Sequence, residues 1–144
     1  MNERQRISGA TESLVRRLAR LVLALAYGFV GYVHLNSPEG FLPIMPEFVP
    51  FPREVVLATG VAEIAGAIGL MIPRVRVAAA WGLAAYAVCV FPANIKHAVE
   101  GIALGGQVAG MGYHVPRLLA QPVIVWWALW AGGVTDWPFR KRGG

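Results

Sequence analysis

Four long apolar stretches limit what this chain can fold into more than any other feature of the sequence. They cover Leu18–Leu35, Val55–Ile72, Val77–Ala93 and Leu118–Val134. Each is 17–18 residues long, at the short end of the roughly 17–25 that a helix needs to cross a bilayer. The composition agrees, because 56% of the residues are hydrophobic and 15% are charged, whereas soluble domains carry about 25% charged residues. The pattern predicts an all-α membrane protein in which residues 1–144 form one domain, an antiparallel four-helix transmembrane bundle.

Other structural classes fit this sequence less well. Disorder requires low hydrophobicity and high charge, and the helices of a soluble bundle would show a polar face, which the last three stretches lack. The first stretch is interpreted as an uncleaved span, because only about three apolar residues separate Arg20 from the cleavage-like pattern at Ala24, fewer than a signal peptide needs. The single cysteine, Cys89, excludes an internal disulfide and a thiol–disulfide relay, and we interpret it as a small apolar side chain.

The basic residues are distributed unequally around the four predicted spans. Arg53, Lys96 and Arg117 fall on one side of the membrane. The other ten fall on the opposite side: Arg4, Arg6, Arg16, Arg17, Arg20, Arg74, Arg76, Arg140, Lys141 and Arg142. Because short segments rich in Lys and Arg stay in the cytoplasm, we predict that both termini are cytoplasmic. The formal net charge of +5 is therefore interpreted as an orientation signal, and no nucleic-acid partner is predicted.

The connections between the predicted spans differ in length and composition. The residues Pro73–Arg76 form a tight turn that makes the second and third spans antiparallel neighbours. The segment Asn36–Glu54 is long and combines five prolines with many apolar side chains, so we expect it to lie at the outer membrane surface and to cover the mouth of the bundle. The glycine-rich segment Ile95–Pro116 is expected to be a more mobile loop.

Polar side chains gather near the outer ends of the predicted spans. Polar groups within lipid are costly and by default face the bundle interior, where they mark function. The candidate ligand-binding residues are His34, Glu63, Asn94, Arg117, Gln121, Tyr27 and Tyr86. Glu63 lies deepest, about 12 Å from the start of its span at 1.5 Å per residue, and the two tyrosines lie near that depth. We expect Glu63 to bond to a tyrosine hydroxyl or to Gln121, with Arg117 nearer the mouth.

Each of these residues also has a purely structural interpretation. A buried carboxyl such as Glu63 must be neutral or paired, so it is either a proton-linked or ligand-binding group or an anchor between helices. Arg117 could lie at the interface with its head in water. His97 and His114 are expected to be solvated loop residues, and no metal site is predicted.

The order of several short motifs resembles the DoxX-like family of small bacterial membrane proteins. The matching segments are, in order, Gly28–His34, Phe41–Pro46, Gly60–Ala67, the arginine turn at Pro73, Phe91–Ile95 and Pro116–Leu118 with Gln121. The resemblance implies a four-helix bundle in the bacterial inner membrane and an association with redox systems. The family positions that carry over are His34, Glu63, Asn94, Arg117 and Gln121, with no catalytic role attached to them.

Several functions are compatible with these features, and whether the protein is an enzyme stays open. The first hypothesis is a redox-associated membrane protein that binds a quinone or another small amphipathic ligand and takes electrons from a partner protein. The alternative is a non-catalytic assembly or scaffold subunit that uses the small residues Ala58, Ala62 and Gly66 to contact its partner. Haem ligation by His34 and His97 is not favoured, since both rings would have to face inward at compatible depth. Transport through four short spans would require a homo-oligomer.

Overall fold

The structure, a computed structural model, describes residues 3–104 and 107–139, with side chains described over 14–103 and 107–139. The described residues form five α-helices, one 3-10 segment and one short hairpin. In chain order these are α1 (Glu3–Asn36), the 3-10 segment (Pro38–Ile44), α2 (Pro52–Met71), α3 (Arg76–Cys89), α4 (Phe91–Glu100), β1 (Ala103–Leu104), β2 (Gln107–Val108) and α5 (Met111–Ala131). The prediction of a mainly helical chain is therefore confirmed. The predictions for Gly105, Gly106 and residues 140–142, and for the side chains of Arg4 and Arg6, lie outside the described residues.

Three helical segments of the described chain are long and apolar enough to cross a membrane. They are Leu14–Asn36, Pro52–Met71 and the combined segment Arg76–Glu100, and they indicate a membrane protein. Residues 118–131 of the fourth predicted span lie in α5, and its last three residues follow that helix. As a whole, α5 does not reach the same apolarity. The reason is that α5 begins at Met111 and includes polar side chains that the predicted stretch had left outside, among them His114 and Arg117.

The third predicted span is divided into two helices. The helix α3 ends at Cys89 and α4 begins at Phe91, with Val90 between them. Pro92 occupies the first turn of α4, where a residue without an N–H group is tolerated. The chain then stays helical to Glu100 and becomes helical again at Met111, so both ends of the predicted loop Ile95–Pro116 are helical.

A close contact between two glycines determines how α1 and α2 pack. A Cβ atom added at Gly31 would lie 2.7 Å from the carbonyl oxygen of Gly60, and one added at Gly60 would lie 2.9 Å from the carbonyl oxygen of Gly31. Small residues allow helix backbones to approach this closely. His34 and Glu63 each follow one of these glycines by three residues, so the same contact brings their side chains together.

The turn between α2 and α3 makes these helices antiparallel neighbours, as predicted. Two backbone hydrogen bonds of 3.2 Å stabilise the turn. Ile72 N–H donates to the Gly69 carbonyl, and Val75 N–H donates to the Ile72 carbonyl. Gly66 faces Leu83 of α3. Of the three small residues proposed as a partner-binding stripe, Ala58 and Ala62 are exposed, whereas Gly66 packs inside the chain.

The core between α1, α2, α3 and α5 is rich in alanine. Its buried members are Leu23, Ala24, Tyr27, Ala67, Leu70, Ala80, Leu83, Ala84, Ala128 and Ala131. Large apolar side chains point outward instead, for example Leu25, Phe29 and Leu119, which are 65%, 68% and 67% exposed. A small-residue interior with bulky apolar residues outside is the arrangement expected of helices surrounded by lipid.

The segment between α1 and α2 packs across one end of the helices. The 3-10 segment contacts α1, α2 and α4, and Ile44 is buried there. Lys96 of α4 donates to the Met45 carbonyl at 2.9 Å. On the exposed side, Arg53 donates to Glu39 at 2.9 Å, and this hydrogen bond holds the pKa of the Glu39 carboxyl below its usual range. The segment thus covers the end of the bundle, as its prolines and apolar residues suggested.

Candidate functional site

A cavity of about 520 Å³ lies between the helices beneath the 3-10 segment. All seven candidate residues from the sequence line it: Tyr27, His34, Glu63, Tyr86, Asn94, Arg117 and Gln121. Most of the remaining wall is apolar and includes Val30, Phe41, Ile44 and Trp127. Pockets for small organic ligands usually combine an apolar wall with a few convergent polar groups. The structure therefore brings the candidate residues together at one site of suitable character, and their role in ligand binding stays a prediction.

The deepest polar pair in the cavity is formed by His34 and Glu63. The Nδ1 atom of His34 and the Oε2 atom of Glu63 are 2.5 Å apart, and the two residues are 8% and 2% exposed. The imidazole packs against the ring of Phe41 at a centroid distance of 4.1 Å. The pair is therefore a buried hydrogen bond that connects α1 to α2. His34 was not the partner that the sequence analysis expected for Glu63.

Two tyrosines form the wall beside this pair. The rings of Tyr27 and Tyr86 meet edge to face, with centroids 6.1 Å apart. Both tyrosines line the cavity together with Glu63. Thr59, one turn before Glu63, is a further polar residue of the cavity.

A second polar group joins α4 to α5 at the other side of the cavity. Arg117 donates to Asn94 Oδ1 at 2.6 Å, and Asn94 in turn donates to Gln121 Oε1 at 3.1 Å. Gln121 donates to the carbonyl of Ala87 at 2.5 Å. That carbonyl belongs to the last turn of α3, where backbone oxygens have no partner within the helix. Gln121 therefore bonds to the end of α3 and not to Glu63.

His97 extends this second group into the protein. Its Nδ1 atom lies 2.8 Å from Arg117 Nη1. A guanidinium can only donate, so this nitrogen must accept, and the neutral ring carries its hydrogen on Nε2. The residue lies one helical turn after Asn94 on the same face of α4, a spacing that could have identified it from the sequence.

The burial of two histidines corrects an expectation from the sequence. His97 and His114 are 2% and 1% exposed, with ring centroids 4.6 Å apart, so neither is a solvated loop residue. They are buried because α4 and α5 extend into the segment that was expected to be a loop.

The two histidines considered for haem ligation belong to separate polar groups. His34 lines the cavity and bonds to Glu63, whereas His97 bonds to Arg117 behind the cavity wall. No cluster of three or more His, Cys, Asp or Glu residues in the described part of the chain is placed to hold a metal ion.

Replacing Arg117 with lysine is expected to destabilise the protein by about 1–3 kcal/mol. A lysine ammonium is a compact charge that cannot reproduce the planar fork holding Asn94 and His97 together. The measurement is chemical unfolding of the detergent-purified protein. The matched control is Arg53→Lys at the exposed ion pair with Glu39, where we expect little change. Equal stability of Arg117→Lys and the wild type would show that the two contacts contribute nothing.

The fold and the cavity together indicate a helical membrane protein with a mainly apolar site bordered by two polar groups. The chain belongs to the family described as a domain of unknown function, DUF8561, whose match covers residues 23–132. This range includes every candidate residue from Tyr27 to Gln121. No curated protein and no solved structure matched the chain.

Proposed function

We propose that this protein spans the bacterial inner membrane four times and binds a quinone or a similar small amphipathic ligand in the cavity, as part of a redox system. The single observation that carries the proposal is the convergence of two polar groups on one apolar cavity. His34 and Glu63 lie on one side, and Arg117 with Asn94 and Gln121 on the other. The resemblance to the DoxX-like family supports the association with redox chemistry.

The chemistry of the two groups suits a ligand that carries oxygen acceptors on a flat apolar body. Arg117 and the Tyr86 hydroxyl are donors available to carbonyl oxygens. The imidazole–carboxyl pair can hold and release a proton, which the reduction of a quinone requires along with electrons. The only cysteine, Cys89, cannot form a redox-active disulfide within the chain. In this proposal the electrons therefore come from a partner protein, and no residue is assigned a catalytic role.

The placement of polar residues on α5 supports a fourth span. Val115, Leu119 and Val123 follow one another at four-residue spacing and are 44%, 67% and 54% exposed, whereas His114 and Gln121 are buried. The polar side chains that lower the mean hydropathy of α5 thus face the protein interior. A helix that hides its polar residues in this way can lie against lipid with an apolar surface. The distribution of Lys and Arg supports cytoplasmic termini.

The proposal is tested by titrating the protein in nanodiscs with decylubiquinone while tryptophan fluorescence is recorded. Trp127 lines the cavity, so we expect saturable quenching in the wild type and the loss of most of that saturable signal in Trp127→Phe. The matched control is Trp81→Phe, since Trp81 is 56% exposed and lies outside the cavity. Quenching that does not saturate, or that is equally retained in both variants, would contradict the proposal. Co-purification of a partner protein would then become the test of the assembly-subunit alternative.

A further inference from the structure

A group of arginines lies at the end of the molecule opposite the 3-10 segment. Arg16 pairs with Asp136, and its guanidinium carbon lies 5.1 Å from the centroid of the Trp130 ring. Arg20 donates from Nε to the Ala131 carbonyl at 2.7 Å. These contacts bring the first apolar turns of α1 against the end of α5.

The turn between α2 and α3 brings a further arginine to the same end. Arg76 donates from Nε to the Leu70 carbonyl at 2.9 Å. Its own carbonyl oxygen lies close to Gly132, just after α5, where an added Cβ would be 3.4 Å away. The charges of Arg16, Arg17 and Arg76 all act on the Arg20 guanidinium. Four basic side chains from two separate parts of the chain therefore share one small region.

The positive charge of this region is not balanced by the described side chains. Asp136 is the only acidic residue recorded in contact with these arginines in the part of the chain with described side chains. The carbonyls of Leu70 and Ala131 offer partial negative charge at the ends of α2 and α5. They engage only the Nε atoms of Arg76 and Arg20. Arg20 is 9% exposed, and a buried charge next to like charges is costly without an anion nearby.

We infer that Arg16, Arg17, Arg20 and Arg76 form a binding site for the phosphate group of an anionic lipid. Guanidinium groups bind phosphate oxygens in pairs of parallel hydrogen bonds, and basic pockets between membrane helices bind anionic headgroups. The position along the chain agrees with a headgroup, because Arg16 and Arg20 lie in the first turns of the membrane-crossing segment Leu14–Asn36. The exposed Trp137 belongs to a residue type enriched at that level of the bilayer.

A lipid in this position would connect three parts of the bundle. Its phosphate would bridge α1, the turn after α2 and the end of α5, and its chains would extend along the exposed apolar side chains nearby. The site is separate from the cavity and independent of any quinone. It gives the arginines a specific role in addition to their expected effect on orientation.

The test compares lipid binding by native mass spectrometry and thermal unfolding in nanodiscs of phosphatidylcholine, with and without phosphatidylglycerol. The wild type is expected to retain phosphatidylglycerol in preference to phosphatidylcholine and to unfold at a higher temperature when it is present. Arg17→Gln and Arg76→Gln are each expected to weaken phosphatidylglycerol binding about tenfold or more, the effect of losing a direct hydrogen bond to a charged group. Arg17 is exposed, so its replacement is compatible with folding even if that of Arg76 is not.

Arg74→Gln is the matched control, because it removes the same charge from the same turn and Arg74 is exposed. We expect it to reduce binding by about fivefold at most, the general effect of one basic side chain near an anionic surface. Equal losses in Arg74→Gln and Arg76→Gln would indicate general surface attraction and overturn the site. If the wild type showed no preference for phosphatidylglycerol over phosphatidylcholine, the proposed site would also be overturned. If inorganic phosphate added to phosphatidylcholine nanodiscs stabilised the protein as much as the lipid does, the ligand would be free phosphate and the lipid assignment would be wrong.

Discussion

Gly31→Ala is expected to destabilise the protein by about 1–3 kcal/mol, the usual effect of forcing extra atoms into a packed interior. The added Cβ would lie 2.7 Å from the Gly60 carbonyl oxygen and 3.0 Å from the Glu63 Cβ atom. The first of these atoms belongs to a helix backbone, which can move away only if α1 and α2 separate. Separation would also lengthen the bond between His34 and Glu63, so decylubiquinone binding should weaken together with stability.

The same helix offers the matched control for this prediction. A Cβ atom added at Gly28 would meet the Cβ of Ala67 at 4.0 Å, an ordinary contact. Alanine is favoured over glycine within a helix by roughly 0.5–1 kcal/mol, so Gly28→Ala is expected to leave the free energy of unfolding unchanged or to raise it. Denaturant unfolding of both variants in detergent provides the comparison. If the free energy of unfolding of Gly31→Ala were equal to or higher than that of the wild type, α1 and α2 would not approach each other as closely as the structure shows.

Glu63→Leu is expected to lower the free energy of unfolding by about 3 kcal/mol, because it leaves the buried imidazole of His34 without its partner. The double variant His34→Leu, Glu63→Leu removes both polar groups and replaces them with apolar ones of similar size. Such replacements are often close to neutral. We therefore expect the double variant to be more stable than Glu63→Leu, although it carries one more substitution.

A double-mutant cycle over His34 and Glu63 measures this coupling directly. The exposed pair of Glu39 and Arg53 is the control, since it has comparable geometry at 2.9 Å but lies in water, where ion pairs contribute little. Strong coupling is expected for the buried pair and almost none for the exposed one. Additive effects at His34 and Glu63 would show that the two side chains do not interact. The double variant should still lose ligand binding, which separates the role of the pair in the site from its role in stability.

The sequence was sufficient to predict a mainly helical chain and seven polar residues that line the cavity. Long apolar stretches form helices in a membrane because backbone groups must bond internally there. A few polar residues within such stretches face inward because exposing them to lipid is costly. Those two rules identified the first three spans, the turn at Pro73 and all seven candidate residues from Tyr27 to Gln121.

Some expectations were wrong because they depended on where a helix begins or ends. The segment after Asn94 contains several glycines and was expected to be a loop, yet α4 continues to Glu100 and α5 begins at Met111. Gly101 and Gly110 do lie between the two helices, and residues 95–100 contain no glycine. The glycines therefore indicated a connection but not how far the two helices extend into the segment. The burial of His97 and His114 followed from this extension. The position of His97 one turn after Asn94 was a signal in the sequence, whereas no local pattern indicated the burial of His114.

Only the tertiary structure decided which polar groups meet. Spacing along a helix tells which side chains share a face, but the partner on another helix depends on how closely and at what rotation the two helices pack. The contact between Gly31 and Gly60 gives Glu63 the partner His34, and the break at Val90 leaves the Ala87 carbonyl for Gln121. The sequence thus determined which residues face the interior, because that depends on the cost of exposing each one to lipid. The pairs they form were decided by backbone contacts between helices that are distant in the chain.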